Sequence, residues 1–182
     1  MIELSLHILD ITENAVRARA RHVLISITED RINDRLALEI RDDGTGMTTE
    51  DLKRVLDPFY TTKKVRRVGL GLPMLAQAAE NAGGSFEIES EPGKGTVVTV
   101  AFQLTHMDRQ PLGDLAGTLV TLITGNPEMH FVYRHHCNGR TYVLDTDEIK
   151  KEIEDVPINH FEVLKWIRLD VEAGLKKINA QA

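Results

Sequence analysis

One strand that runs directly into a glycine-broken acidic loop constrains this chain most. Leu36-Ala37-Leu38-Glu39-Ile40 is followed at once by Arg41-Asp42-Asp43-Gly44-Thr45-Gly46-Met47. Residues 36–40 are short and apolar with one polar break, the pattern of a mostly buried strand. The carboxylate of Asp42 then emerges where the strand stops. Gly44 and Gly46 carry no side chain, so the backbone there can lie against a flat ligand or take positive φ. An aspartate so placed can accept from an exocyclic amine such as that of adenine. Alone, Asp-Asp-Gly-Thr-Gly reads as a simple turn, and its meaning depends on what accompanies it.

The first companion is the segment before it. Residues 3–20 hold no Gly or Pro and are dense in Leu, Ile, Ala and Val, which predicts a helix buried on most sides. Its 3-4-3-4 spacing gathers Glu3, His7, Asp10, Asn14, Arg17 and Arg21 on one polar stripe. That stripe faces either solvent or a site. Asp10 and Asn14 lie one turn apart, so a carboxylate and an amide oxygen point the same way. The pair suits an octahedral Mg²⁺ that keeps several waters and binds a nucleotide's phosphates. The aspartate can also orient or deprotonate an attacking group. His7 reads as a surface residue of the stripe rather than a phosphoacceptor.

Residues 22–28 alternate, 29–35 are polar, and 36–40 return, a hairpin over 22–40. Thr48 or Thr49 caps a short helix that ends at Asp57-Pro58. Lys63, Lys64, Arg66 and Arg67 form a basic knot in a chain of net charge −6. A charge run is usually a solvated face. This one precedes Gly69-Leu70-Gly71, which opens the helical pattern of residues 73–82, and amides at a helix start beside cations can clamp a polyphosphate. Gly83-Gly84 stops that helix. Residues 85–90 and 96–104 are two more strands, joined by Glu91-Pro92-Gly93-Lys94-Gly95. The order helix, two strands, glycine loop, basic segment, helix, two strands predicts an α/β fold: a two-layer sandwich with a mixed sheet.

The expected division is residues 1–104 as one unit and 105–182 as a small C-terminal α+β extension. The extension reads as a helix over 112–123, a hairpin over 131–144 turning at Asn138-Gly139, and helices over 145–155 and 159–178. Its apolar residues Phe131, Val143, Leu144, Leu164 and Trp166 suit a small core against the first unit or a partner surface. His130, His135, His136 and Cys137 raise the question of a metal. Strand alternation puts His136 opposite His135 and Cys137, which favours structural or exposed roles. The acidic balance gives no electrostatic case for nucleic acid, and no apolar run reaches the roughly 20 residues of a membrane span. With one cysteine and no signal-peptide layout, the expectation is a cytoplasmic protein.

Taken in order, these segments closely resemble the ATP-binding domain of the GHKL superfamily (gyrase, heat-shock chaperone, sensor histidine kinase and MutL), with its Bergerat fold. Asp10-Ile-Thr-Glu-Asn14-Ala15 is similar to the N box and Asp42-x-Gly44-x-Gly46 to the G1 box. Asp57-Pro58-Phe59-Tyr60-Thr61-Thr62-Lys63 resembles the F box of histidine kinases, and Gly69-Leu70-Gly71-Leu72 the G2 box. Gly93-Lys94-Gly95-Thr96 resembles the turn before the last core strand. The resemblance covers residues 2–104. It implies ATP and Mg²⁺ as cofactors, Asn14 as the metal ligand, Asp42 as acceptor from the adenine amine, and Gly44, Gly46 and Met47 as the adenine pocket. Thr96 would reach adenine through water. Gly69, Leu70 and Gly71 would meet the phosphates, with Thr62 and Lys63 beside them. Asp10 would be the catalytic acid–base group and Lys63 a second catalytic residue. The ATP-hydrolysing branches usually place Glu four residues before the Asn, and Asp10 is one methylene shorter, which puts hydrolysis in question. The N box begins within about ten residues of Met1, which leaves no room for a dimerisation helix pair bearing a phosphoaccepting histidine. The resemblance therefore implies a kinase acting on an unidentified partner protein, as anti-sigma-factor kinases do. The alternatives are an ATP-dependent binding module and a slow ATPase, and homodimerisation stays open.

Overall fold

In the computed structural model, residues 2–55 and 71–180 are described. The predicted segment 57–68, with Thr62 and Lys63, lies outside them, as do Gly69 and Leu70. The opening helix α1 spans Leu4–Arg17, followed by β1 (His22–Asp30) and β2 (Arg35–Asp42). A short α2 (Thr49–Arg54) is capped by Thr48, whose hydroxyl accepts from the Asp51 amide. Then come α3 (Gly71–Asn81), β3 (Ser85–Glu91) and β4 (Gly95–Gln103). The extension contributes α4 (Leu115–Gly125), β5 (His130–Cys137), β6 (Arg140–Asp145), α5 (Thr146–Ile153) and α6 (Phe161–Ile178).

The strands form one six-stranded sheet in the order β3-β4-β2-β1-β5-β6. Every neighbouring pair is antiparallel except β1 with β5, which is parallel and sets His22 beside His130. Period-2 alternation turns Val23, Ile25 and Ile27 of β1 and Leu36, Leu38 and Ile40 of β2 into the core. Val98, Val100 and Phe102 of β4 join them on the same face. Helix α1 packs between α3 and α4, and α4 packs against α6. This is the expected two-layer α/β sandwich with a mixed sheet.

The extension does not build a sheet of its own: β5 and β6 continue the first one through β1. Phe131 and Leu144 are buried in the shared core, whereas Val143 (51% exposed) and Trp166 (49%) face outward. Helix α4 starts at Leu115, three residues later than the apolar run suggests, because Asp114 caps it by accepting from the Gly117 amide at 2.8 Å. His130, His135, His136 and Cys137 do not converge on one point. His135 faces Glu29 and Tyr133, His130 faces His22 and Asp145, and His136 Nδ1 meets the Thr141 hydroxyl. Cys137 is fully buried. Among the described residues no group of three or more His, Cys, Asp or Glu side chains is arranged to hold a metal ion. No helix among them is long and apolar enough to cross a membrane.

Candidate functional site

The candidate site is built where β2 ends and β4 begins. Asp42 stands opposite Thr96 in the antiparallel register. Its Oδ1 accepts from the Gly44 amide at 2.8 Å. Burial pushes the Asp42 carboxyl above its ordinary value, against the pull of the Gly44 and Thr96 amides. Asp43, next in sequence, is treated oppositely. Burial resists its charge, but the amides of His22 and Arg21 donate to it at 2.9 and 2.7 Å and hold its carboxyl below the usual range. One aspartate fastens the loop to the start of β1, and the other is left half-buried at the strand end.

The rest of the loop is stitched to its surroundings. The Thr45 amide donates to the Ala18 carbonyl at 2.8 Å, so the loop abuts the end of α1. Gly46 has φ +65°, and a Cβ there would sit 2.0 Å from the Glu91 carbonyl oxygen, so only glycine fits. The Met47 amide donates to Ser90 Oγ at 2.9 Å, and Ser90 Oγ lies 2.9 Å from Thr96 Oγ1. Asp42, Gly44, Gly46, Met47 and Thr96 thus form one continuous wall. Ser90, which ties Met47 to Thr96, was missing from the expected set. The signal for it was available, since the strand on either side of the Pro92-Gly93 turn puts it across from Thr96.

The second wall comes from α1. A Cβ on Gly71 would fall 1.6 Å from Asp10 Oδ2, so the Asp10 carboxylate rests against the first residue of α3. Four residues after Asp10 is Asn14, and four after that is Ala18, whose side chain lies against Gly44. The i, i+4 spacing puts Asp10 and Asn14 on one face of α1, and Ala18 caps the end of the helix. In the chain, Asn14 therefore sits between the Asp10–Gly71 contact and the Ala18–Gly44 contact. Its Oδ1 accepts from Arg17 Nη1 at 2.8 Å, and Arg17 also pairs with Glu13 at 2.7 Å.

One expectation is corrected. His7 is not a surface member of the stripe but 1% exposed. The reason lies in the extension: the carbonyls of Pro111 and Leu112 accept from the amides of Leu4 and Ser5, both at 2.9 Å. Gln110 Oε1 lies 3.0 Å from His7 Nε2. The segment 110–112 therefore covers the start of α1, where the helical pattern alone leaves an open face.

Comparison with known proteins agrees with this architecture. Sporulation kinase C of Bacillus subtilis is 33% identical over 96 residues, 53% of this chain and 22% of that protein. Sensor histidine kinase ZraS of Escherichia coli is 28% identical over 106 residues, 58% of this chain and 23% of that protein. The match thus spans about a quarter or less of the length of each of these kinases. A crystal structure of the N-terminal domain of a DNA repair protein superposes with a TM-score of 0.53 at 17% identity, covering 80% of this chain and 53% of that one, a likeness of fold alone. The family described as Histidine kinase-, DNA gyrase B-, and HSP90-like ATPase matches residues 2–106. This protein belongs to that ATPase family.

Proposed function

We propose that this protein binds ATP with Mg²⁺ and transfers its γ-phosphoryl group to a separate partner protein. Two contacts support the reading, Asp10 on Gly71 and Ala18 on Gly44: Asn14 lies between Asp10 and Ala18 in the chain and offers an oxygen of the kind Mg²⁺ takes. The carboxylate of Asp42 accepts from the adenine amine, and Gly44, Gly46 and Met47 flank the ring, with Thr96 reaching it through water. Asn14 Oδ1, which accepts from Arg17 Nη1 at 2.8 Å, would be the side-chain oxygen that holds the cation. Bound Mg²⁺ supplies charge neutralisation on the phosphate oxygens. The acceptor atom of the partner bonds to the γ-phosphorus, the bond to the ADP oxygen breaks, and Asp10 takes the acceptor's proton. Amides from Gly69, Leu70 and Gly71 and the side chains of Thr62 and Lys63 stabilise the transferring group.

Asp10 is one methylene shorter than the usual glutamate of the hydrolysing branches. This favours transfer over hydrolysis, and it also keeps a second reading in play: nucleotide binding that controls docking with little turnover. Labelled ATP and candidate partners from the same cells separate the two. Under the kinase reading label reaches the partner and Asp10→Asn abolishes it. Under the binding-module reading nothing is labelled, yet ATP changes partner affinity. Asn14→Ala is expected to remove the Mg²⁺ dependence of ATP binding in calorimetry, and retained dependence moves the metal elsewhere.

A further inference from the structure

The sheet has a second face. Helices α1, α3, α4, α5 and α6 bury their apolar residues in one core with Val23, Ile25 and Ile27 of β1 and the strand residues that share their side. The alternate positions of each strand point the other way. There Leu24, Val97 and Val132 lie in one row across β1, β4 and β5, interrupted only by Arg41 of β2. Val132 and Ala101 are buried, yet neither belongs to the helix-side core. A solvated antiparallel face ordinarily carries polar side chains at such positions. No lysine occurs in any of the six strands, and lysine is a residue that interfaces avoid. The same face is also patterned in charge. The next row reads Arg134, Ser26, Glu39, Thr99 and Glu87 from β5 across to β3. Glu89, two residues beyond Glu87, points to the same side. Glu39 is paired with Arg41 at 3.6 Å. Arg134, Glu87 and Glu89 are exposed, and among the described residues their side chains make no hydrogen bond or ion pair.

We propose that this face binds a second copy of the chain, the two sheets packed face to face about a twofold axis that runs along the strands between β1 and β2. Stacked sheets lie about 10 Å apart, with their strands within about 30° of one another. The order β3-β4-β2-β1-β5-β6 puts such an axis at the middle of the sheet. The rotation lays β1 on β2 of the second copy, β5 on β4 and β6 on β3. Val132 then meets Val97, and Thr28 meets Ala37. Arg134 rests on Thr99, one strand spacing of about 4.8 Å from Glu87, and symmetry makes the contact twice. The charges also choose between axes. A twofold axis across the strands lays each strand on its own counterpart, which sets Glu87 and Glu89 against the same pair of the other copy. Like charges opposed in this way are unfavourable. Arg134 and Val132 lie on β5, beyond residues 2–106 of the family match, so the extension supplies the basic half of the interface. None of these residues belongs to the candidate site, and the inference stands apart from the nucleotide reading.

The test is sedimentation velocity of the full chain at concentrations up to about 100 µM, where an interface of standard size associates. The wild type is expected to sediment as a dimer. Arg134→Glu and Glu87→Arg are each expected to weaken that dimer about tenfold or more, because each brings like charges together at two symmetric contacts. Placed on one chain, the two changes exchange the signs and are expected to restore the dimer to within about threefold of the wild type. Misfolding does not produce such a restoration. Ser26→Arg, at the middle of the face, is expected to leave a monomer whose circular dichroism matches the wild type. A monomeric wild type overturns the proposal, as does a dimer that tolerates Ser26→Arg. Single changes that weaken the dimer with no recovery in the double variant overturn the axis along the strands, and with it the proposed interface.

Discussion

The two ends of β1 handle polar side chains in opposite ways. At the far end, Glu29 is wholly buried and accepts from His135 Nε2 at 2.9 Å, while the Tyr133 hydroxyl donates to His135 Nδ1 at 2.7 Å. The Cys137 thiol lies 3.7 Å from the other Glu29 oxygen and 3.5 Å from the Asn179 carbonyl. Each ring nitrogen and each carboxylate oxygen there has a protein partner, and burial pushes the Tyr133 hydroxyl well above its ordinary value. At the near end, Asp42 is half-buried, bonded by amides on one side, and raised by burial. A closed network fixes β5 on β1, whereas a carboxylate that burial raises, and that only backbone amides bond among the described residues, is what a ligand-binding position looks like.

The sharpest way to break this contrast is at the closed end. His135→Leu takes the 2.9 Å hydrogen-bond donor from the buried Glu29 carboxylate and leaves Arg31 Nη2 at 3.9 Å from its other oxygen, and the expected loss is about 3–5 kcal/mol in urea unfolding. Adding Glu29→Leu to it should recover much of that loss, since the pair, not the fold, demands the polarity. A small single-mutant effect means that water already reaches the network.

The open end is expected to behave in reverse. Asp42→Asn should weaken ATP binding by about 1–3 kcal/mol in calorimetry. Its effect on the ligand-free protein follows from the sign of the shift. A carboxyl raised in the folded state favours folding below its unfolded pKa, and that favour is lost as pH rises through the folded value. At neutral pH the ionised Asp42 is therefore a cost, and Asp42→Asn should leave the apo protein as stable as the wild type or more so. An apo protein that loses stability at pH 7 and keeps its ATP affinity would reassign Asp42 to the frame.

Ser90→Ala tests the seam between loop and sheet. Removing the acceptor of the Met47 amide should cost about 1 kcal/mol and speed hydrogen exchange at Met47 without affecting amides near Glu29. The smallest change is expected from Tyr133→Phe, about 0.5–1.5 kcal/mol, because His135 keeps its bond to Glu29.

Much of this layout was legible in the sequence, and the exceptions share one cause. The strands and their turns follow from alternation and from Gly and Asn at bends, signals that lie within a few residues of where they act. The near-end wall was legible because Asp42, Gly44, Gly46 and Thr96 sit in two short segments with a shape of their own. The parallel pairing of His22 with His130 was not, because nothing local distinguishes a strand that joins an existing sheet from one that starts another. The burial of His7 failed for the same reason. Helical periodicity assigns it to the polar stripe, and only the distant segment 110–112 turns that part of the stripe inward. The Glu29–His135 network was hidden too, since a lone Glu at a strand end reads as solvated until its partner is known.

The parallel neighbour of β1 also sets an order of events during synthesis. β1 and β2 leave the ribosome early, yet one flank of β1 stays without hydrogen-bonding company until β5 has been translated. Until then the nascent chain presents an unprotected strand edge, the kind of surface that recruits chaperones or mispairs. A gene cut after codon 106 should therefore yield an aggregation-prone product even though it encodes every residue of the nucleotide walls, and sedimentation of that fragment beside the full chain would show it.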